Sequence, residues 1–228
     1  MKSLLITTVS TLFLSVLIVN VDKTEKLKDN SVANYQLDEN GKKSGPFKIT
    51  SSKGGILLSG SYKDGNRVND WYCFDRNGNV TLRYNYNLKK LILLSEKQIA
   101  DYEFKVDDSN AEVQEKFQAP FPICSAEQFK GLLISEFIQQ IPAKQKTSKA
   151  NLKGEVTALI SETGRVKYFV KYVLDGYEYK TSVDLDNKVF NVEWIPATYK
   201  DKTYKSEAKF NIDVAIDPTT ERRFIWNY

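Results

Sequence analysis

Residues 60–78 read Gly60-Ser61-Tyr62-Lys63-Asp64-Gly65-Asn66-Arg67-Val68-Asn69-Asp70-Trp71-Tyr72-Cys73-Phe74-Asp75-Arg76-Asn77-Gly78. The stretch belongs to a repeat. Residues 41–65 align on residues 65–89 at an offset of 24, with Gly41 on Gly65, Phe47 on Trp71, Gly54 on Gly78, Ile56 on Val80, Leu58 on Leu82 and Tyr62 on Tyr86. Each unit is a glycine, a strand with an aromatic near its start, a polar turn with glycine, and a second strand. Ile56/Leu58 and Val80/Leu82/Tyr84/Tyr86 alternate with period two, the pattern of a half-buried strand. Asn77-Gly78 separates Trp71–Phe74 from Val80–Tyr86 and predicts a hairpin whose turn residues adopt positive φ. Tyr62-Lys63-Asp64-Gly65 predicts a similar turn between units.

Gly60, Tyr62, Asp64, Gly65, Trp71, Phe74, Asp75, Asn77 and Gly78 together resemble the MORN repeat and its bacterial variants. The resemblance covers about 50 residues and implies hairpins stacked into an elongated sheet that serves as a scaffold or contact surface. One position departs from the pattern. The glycine two places before the tryptophan is Asn69, and asparagine tolerates the left-handed region. Leu88–Val106, with Leu91-Ile92-Leu93-Leu94 and the alternation Tyr102/Phe104/Val106, reads as strands capping that sheet. The repeat domain is thus expected over residues 30–106. Residues 107–122 read as a linker, since Asp107–Phe117 has no hydrophobic period and Ala119-Pro120-Phe121-Pro122 resists regular structure.

Residues 123–228 form the second part. Ser125-Ala126-Glu127-Gln128 is a capping box, and Phe129, Leu132, Leu133, Phe137 and Ile141 give the following helix one apolar face. Pro142 stops it. Val156/Ala158/Ile160 predicts a strand, Glu162-Thr163-Gly164-Arg165 a turn, and Val166–Leu174 a second strand. Tyr179–Val192 is expected to be helical, Trp194-Ile195-Pro196-Ala197 breaks it, and Thr203–Ile216 is a long alternating strand. The expected fold is therefore mainly β with an α+β second part: a stacked-hairpin sheet followed by a helix-strand-strand-helix-strand module.

From about Phe121 to Ile216 this order is similar to the TonB C-terminal domain. The similarity rests on Ile141-Pro142, Leu152-Lys153-Gly154-Glu155-Val156, Ser161–Val166, Trp194-Ile195-Pro196-Ala197 with Lys200-Asp201-Lys202, and Phe210-Asn211-Ile212-Asp213-Val214. The turn lacks the glycine of that family, and residue 141 is not aromatic. The resemblance implies a partner strand added at a sheet edge. The candidate edge is Thr203–Ile216, with Thr203, Tyr204, Lys205, Lys209, Phe210 and Ile212 as its contact residues. Lys202, Lys205, Glu207 and Lys209 are equally what a strand edge guarded against aggregation carries. The chain has six prolines and a repeat where that family's energy transducers carry a long Pro-rich span.

Met1-Lys2 followed by an uncharged run to Val21 has the layout of a secretory signal, residues 1–21. Val19-Asn20-Val21 is a poor cleavage site and the run is long enough to span a bilayer, so an uncleaved anchor is the other reading. In either case the rest of the chain is expected outside the cytoplasm, periplasmic or envelope-associated. In that oxidising space Cys73 and Cys124 either pair, stapling the two parts, or stay as separate buried thiols.

The 228 residues contain no histidine, which removes Ser-His-Asp triads, Cys-His pairs, His-ligated zinc and a histidine general base. Two cysteines are too few for a Cys-only zinc site. No cofactor or metal is expected. The net charge of +4 comes without a dense basic block, so nucleic acid is not an expected partner, and the membrane is one only through the N-terminal segment if it is uncleaved. The expected function is that of an exported, non-enzymatic protein-binding or scaffold protein of the Gram-negative envelope, with a protein partner. Two alternatives stand beside it. One is an antitoxin-like repeat protein; the other is an enzyme using carboxylate pairs such as Asp107/Asp108 or Asp184/Asp186. The tail Arg222-Arg223-Phe224-Ile225-Trp226-Asn227-Tyr228 reads as a last strand or a recognition tail.

Overall fold

The computed structural model of the chain describes residues 20–142 and 150–216. Most of the predicted signal segment and the whole C-terminal tail lie outside the described residues. The protein is mainly β and its sheets are antiparallel. A seven-stranded meander comes first: β1 (Val21–Lys26), β2 (Val32–Leu37), β3 (Gly45–Thr50), β4 (Ile56–Lys63), β5 (Asn66–Phe74), β6 (Val80–Asn85) and β7 (Lys90–Leu94), each paired with the next. The β1–β2 hairpin extends the array beyond the expected start at residue 30, so Val21 is strand rather than the end of the apolar run.

The 24-residue period is a period of turns. Leu27–Ser31, Ser51–Gly55 and Asp75–Asn79 close the β1–β2, β3–β4 and β5–β6 hairpins with the same pair of main-chain bonds. In each, one residue near the end has positive φ: Asn30 at 66°, Gly54 at 87° and Gly78 at 80°. This is a three-residue loop ending in a left-handed residue. The Asn77-Gly78 expectation is corrected accordingly, for only Gly78 is left-handed. The Asp75 carboxylate accepts from the Asn77 and Asn79 amides, which stabilises the longer loop. Between units, Asp64-Gly65 makes the predicted two-residue turn with both φ positive.

The second sheet has the order β12-β11-β10-β16-β8. Its members are β8 (Glu103–Val106), β10 (Ala150–Ile160), β11 (Val166–Leu174), β12 (Tyr177–Val183) and β16 (Ser206–Ile216). Four expectations are corrected here. Residues 88–106 do not all cap the repeat: β7 joins the first sheet, a short helix α1 (Glu96–Ile99) follows, and β8 leaves for the second sheet. The expected linker contains helix α2 (Ala111–Lys116), capped by the Asn110 side chain and seated on buried Val113. The helix expected at 179–192 is instead strand β12 followed by an irregular segment. Asp175-Gly176, with φ 52° and 81°, turns β11 directly into β12, and Thr181 and Val183 are β-branched. The fourth concerns the last strand. Lys202–Tyr204 is a separate strand β15 paired with β14 (Ala197–Tyr199), and β16 starts only at Ser206. Two further two-residue strands, β9 (Phe121–Pro122) and β13 (Trp194–Ile195), pair with each other.

Helix α3 (Ala126–Gln140) joins the layers. Ser125 caps it by accepting from the Gln128 amide, 3.2 Å. The sequence shows one apolar face, but Gln128, Gly131, Ile134 and Ser135 are buried as well. A helix buried on more than one side lies between other elements. On one side Phe129 packs on Tyr168 and Phe210, and Phe137 on Tyr172, all in the second sheet. On the other, Glu127 pairs with Arg76 and Glu136 with Lys28, both in repeat turns. One continuous buried cluster runs through both sheets and α3.

Candidate functional site

The repeat residues Phe47, Tyr62, Trp71 and Tyr86 form one aromatic row. Phe47 stacks on Trp71 at 5.6 Å, and Tyr62 and Tyr86 meet Trp71 edge-on at 5.2 and 5.8 Å. The indole lies against Gly60, where any Cβ would clash with the ring. This explains the glycine of the motif. Gly45 and Asn69 are equivalent positions, 24 apart, and both are left-handed, with φ of 78° and 57°. Asn69 therefore does the conformational work of the missing glycine; its main-chain amide donates to the Asn87 side-chain oxygen, and the Asn87 NH2 donates back to the Asn69 side-chain oxygen. Of the other motif residues, Asp64, Gly65, Asn77 and Gly78 sit in exposed turns.

Two cations in this row escaped the sequence reading, although they too are 24 residues apart. The Arg67 guanidinium lies 4.4 Å from the Trp71 ring centre and 5.5 Å from that of Phe190. It donates to the Tyr86 hydroxyl at 3.0 Å and to the Asn191 carbonyl at 2.7 Å. Tyr86 donates in turn to Glu193, 2.8 Å. Lys43 faces the rings of Tyr35, Phe47 and Tyr62 at 5.3–5.7 Å. Its ammonium donates to the carbonyls of Val189 and Lys188. Burial, and then the neighbouring Arg67 charge, lower its pKa, with Glu25 opposing them. Phe190 stacks on Phe47 at 6.0 Å. Residues 187–193 are thus clasped onto the repeat face, leaving a cleft of about 570 Å³ beside Lys43, Arg67 and Glu193.

The predicted edge is divided. Thr203 and Tyr204 belong to the small β14–β15 hairpin, and Lys205 links it to β16. The four residues of β8 pair only with Ser206–Lys209, so Lys209 is an interior position. Beyond it Phe210 and Ile212 are buried, and their strand pairs on one side with β10. The Asp107 amide donates to the Lys205 carbonyl, so odd-numbered β16 residues direct their main-chain groups toward β8. By that alternation Asn211, Asp213 and Ala215 present N–H and C=O where, among the described residues, no strand pairs.

Cys73 and Cys124 are both buried, free thiols; a bond between them is not formed. Burial pushes both thiols up from their usual range. Cys124 donates instead to Gln128, 3.3 Å, and its carbonyl accepts from Gln98, 2.6 Å. Asp184 accepts from the Asp186 amide and Asp108 from the Asn110 amide, so each serves as a local turn acceptor. Asp107, Asp184 and Asp186 line a cleft of about 1220 Å³ at one end of the second sheet, interleaved with Arg165, Lys167 and Lys205. Among the described residues no three histidine, cysteine or acidic side chains converge as metal ligands. Among them, too, no helix is long and apolar enough to cross a membrane. Comparison with known proteins finds no matching family model, curated protein or solved structure.

Proposed function

We propose that this chain is an exported, non-enzymatic protein-binding scaffold of the bacterial envelope, and that it takes up a partner strand beside Phe210–Ile216. The reading rests on one observation: β8 ends four residues into an eleven-residue strand, and the next positions offer main-chain groups that no strand among the described residues pairs. A guest strand there would gain a ladder of hydrogen bonds from Asn211, Asp213 and Ala215. The other edge of the sheet, β12, carries Glu178 and Lys180, with Glu178 paired to Lys171 at 3.0 Å, and is better guarded. The 24-residue hairpin period supports a MORN-like scaffold for the first part. From the TonB C-terminal resemblance, the proposal carries over the mode of binding.

The test is a photo-crosslinking residue at Asn211, Ala215 or, as control, Glu178, in cells that make the protein. An adduct with one protein at 211 and 215, absent at 178 and lost in a folded Asp213→Pro variant, supports strand addition. No adduct, or one that survives that variant, overturns it.

A further inference from the structure

The cleft beside the clasp has an unbalanced charge. Lys43, Arg67 and Lys188 line it against a single acid, Glu193. Glu193 is 3.5 Å from Arg67 and holds the Tyr86 hydroxyl. Among the described residues, no carboxylate forms an ion pair with Lys43 or Lys188. Lys43 spends two donors on loop carbonyls and retains a third. Glu25 also acts on Lys43, but its carboxylate accepts from the Tyr35 hydroxyl at 2.5 Å. The remaining polar groups that line the space are the Tyr62 hydroxyl and the side chains of Asn66, Asn187 and Asn191. Of these, Asn191 accepts from the Asn187 amide through its oxygen, leaving its NH2 group to the cleft. Donors therefore outnumber acceptors. Lys43 and Arg67 are partly buried neighbours, and cations so placed gain from an anion more than solvated ones do, while Lys188 adds an exposed charge to the same lining.

The chain itself shows which anion suits the place. Glu193 enters as a carboxylate that meets the guanidinium edge and a tyrosine hydroxyl together. We infer that the cleft between the repeat sheet and residues 187–193 binds a second carboxylate, that of an acidic peptide, on Lys43 and Lys188. The inference does not depend on strand addition at β16, which lies on the other sheet.

The probe is an acetylated triglutamate peptide, compared with triglutamine at fixed ionic strength and followed by amide resonances. Triglutamate should shift Gly65, Asn66 and Asn191 saturably, and triglutamine should not. Lys188→Met keeps the main-chain carbonyl used by the clasp and should weaken binding about two- to fivefold, the loss of one solvent-exposed charge contact. Lys43→Met should do the same or more. No saturable shift, equal shifts with triglutamine, shifts centred elsewhere, or unchanged affinity in Lys188→Met would each overturn the inference.

Discussion

Among the glycines of the repeat, Gly60 alone lies against a ring, that of Trp71, and the indole N–H reaches the Ser61 carbonyl at 3.3 Å. Gly60→Ala should therefore cost about 1–3 kcal/mol, the range for overpacking a well-filled site; urea denaturation would measure it. Asp29 is a second informative residue. Burial raises its pKa above 3.8, against bonds from the Ser31 amide and hydroxyl at 3.1 and 2.6 Å. The folded protein then holds this proton more tightly than the unfolded chain. Its contribution is fully present below 3.8 and is lost as pH rises through the folded value. Asp29→Asn keeps an acceptor for Ser31 and removes the charge. It should be at least as stable as the parent at pH 7, with its relative advantage vanishing by about pH 3, as thermal melts across that range would show. The glycine of the motif was legible in the sequence. The reason for it, a ring lying on bare backbone, became visible only when Trp71 was placed.

At the scale of elements, β16 is the informative strand. Even-numbered residues direct their main-chain groups to β10, and odd-numbered ones beyond Lys209 direct theirs outward. Phe210→Pro removes an interior bond and a buried ring together, and should lower stability by about 3 kcal/mol or more. Asp213→Pro removes an outward N–H and should cost far less, since proline is tolerated on strand edges. Comparable losses in the two variants, read from their denaturation midpoints, would show that the assigned alternation is wrong. Which elements form was largely legible from period two and turn chemistry. The misreading at 179–192 arose because Val183, Val189 and Phe190 can be fitted to helical spacing. Asp175-Gly176 directly after a strand is the stronger local signal, because both residues accept the positive φ of a tight hairpin turn.

Across the whole molecule, the packing joins what the sequence divides. Tyr84 meets Phe121 at 6.3 Å, Phe47 meets Phe190, and Thr81 bonds Gln98, which bonds the Cys124 carbonyl. A fragment of residues 123–216 would expose the α3 face that lies against the repeat turns. It should show no cooperative melt, whereas the full chain should give one transition by calorimetry. A sharp transition in the fragment would contradict the shared core. By itself the sequence determined the hairpin period, the helix start at Ser125 and most strand positions, because these depend on residues a few places apart. It also determined the absence of histidine chemistry, which is a matter of composition. Tertiary structure alone decided that β8 crosses to the second sheet and covers only the first four residues of β16, and that residues 187–193 fasten onto Lys43 and Arg67. Those contacts join residues a hundred or more positions apart, and neither periodicity nor turn propensity carries information over that distance.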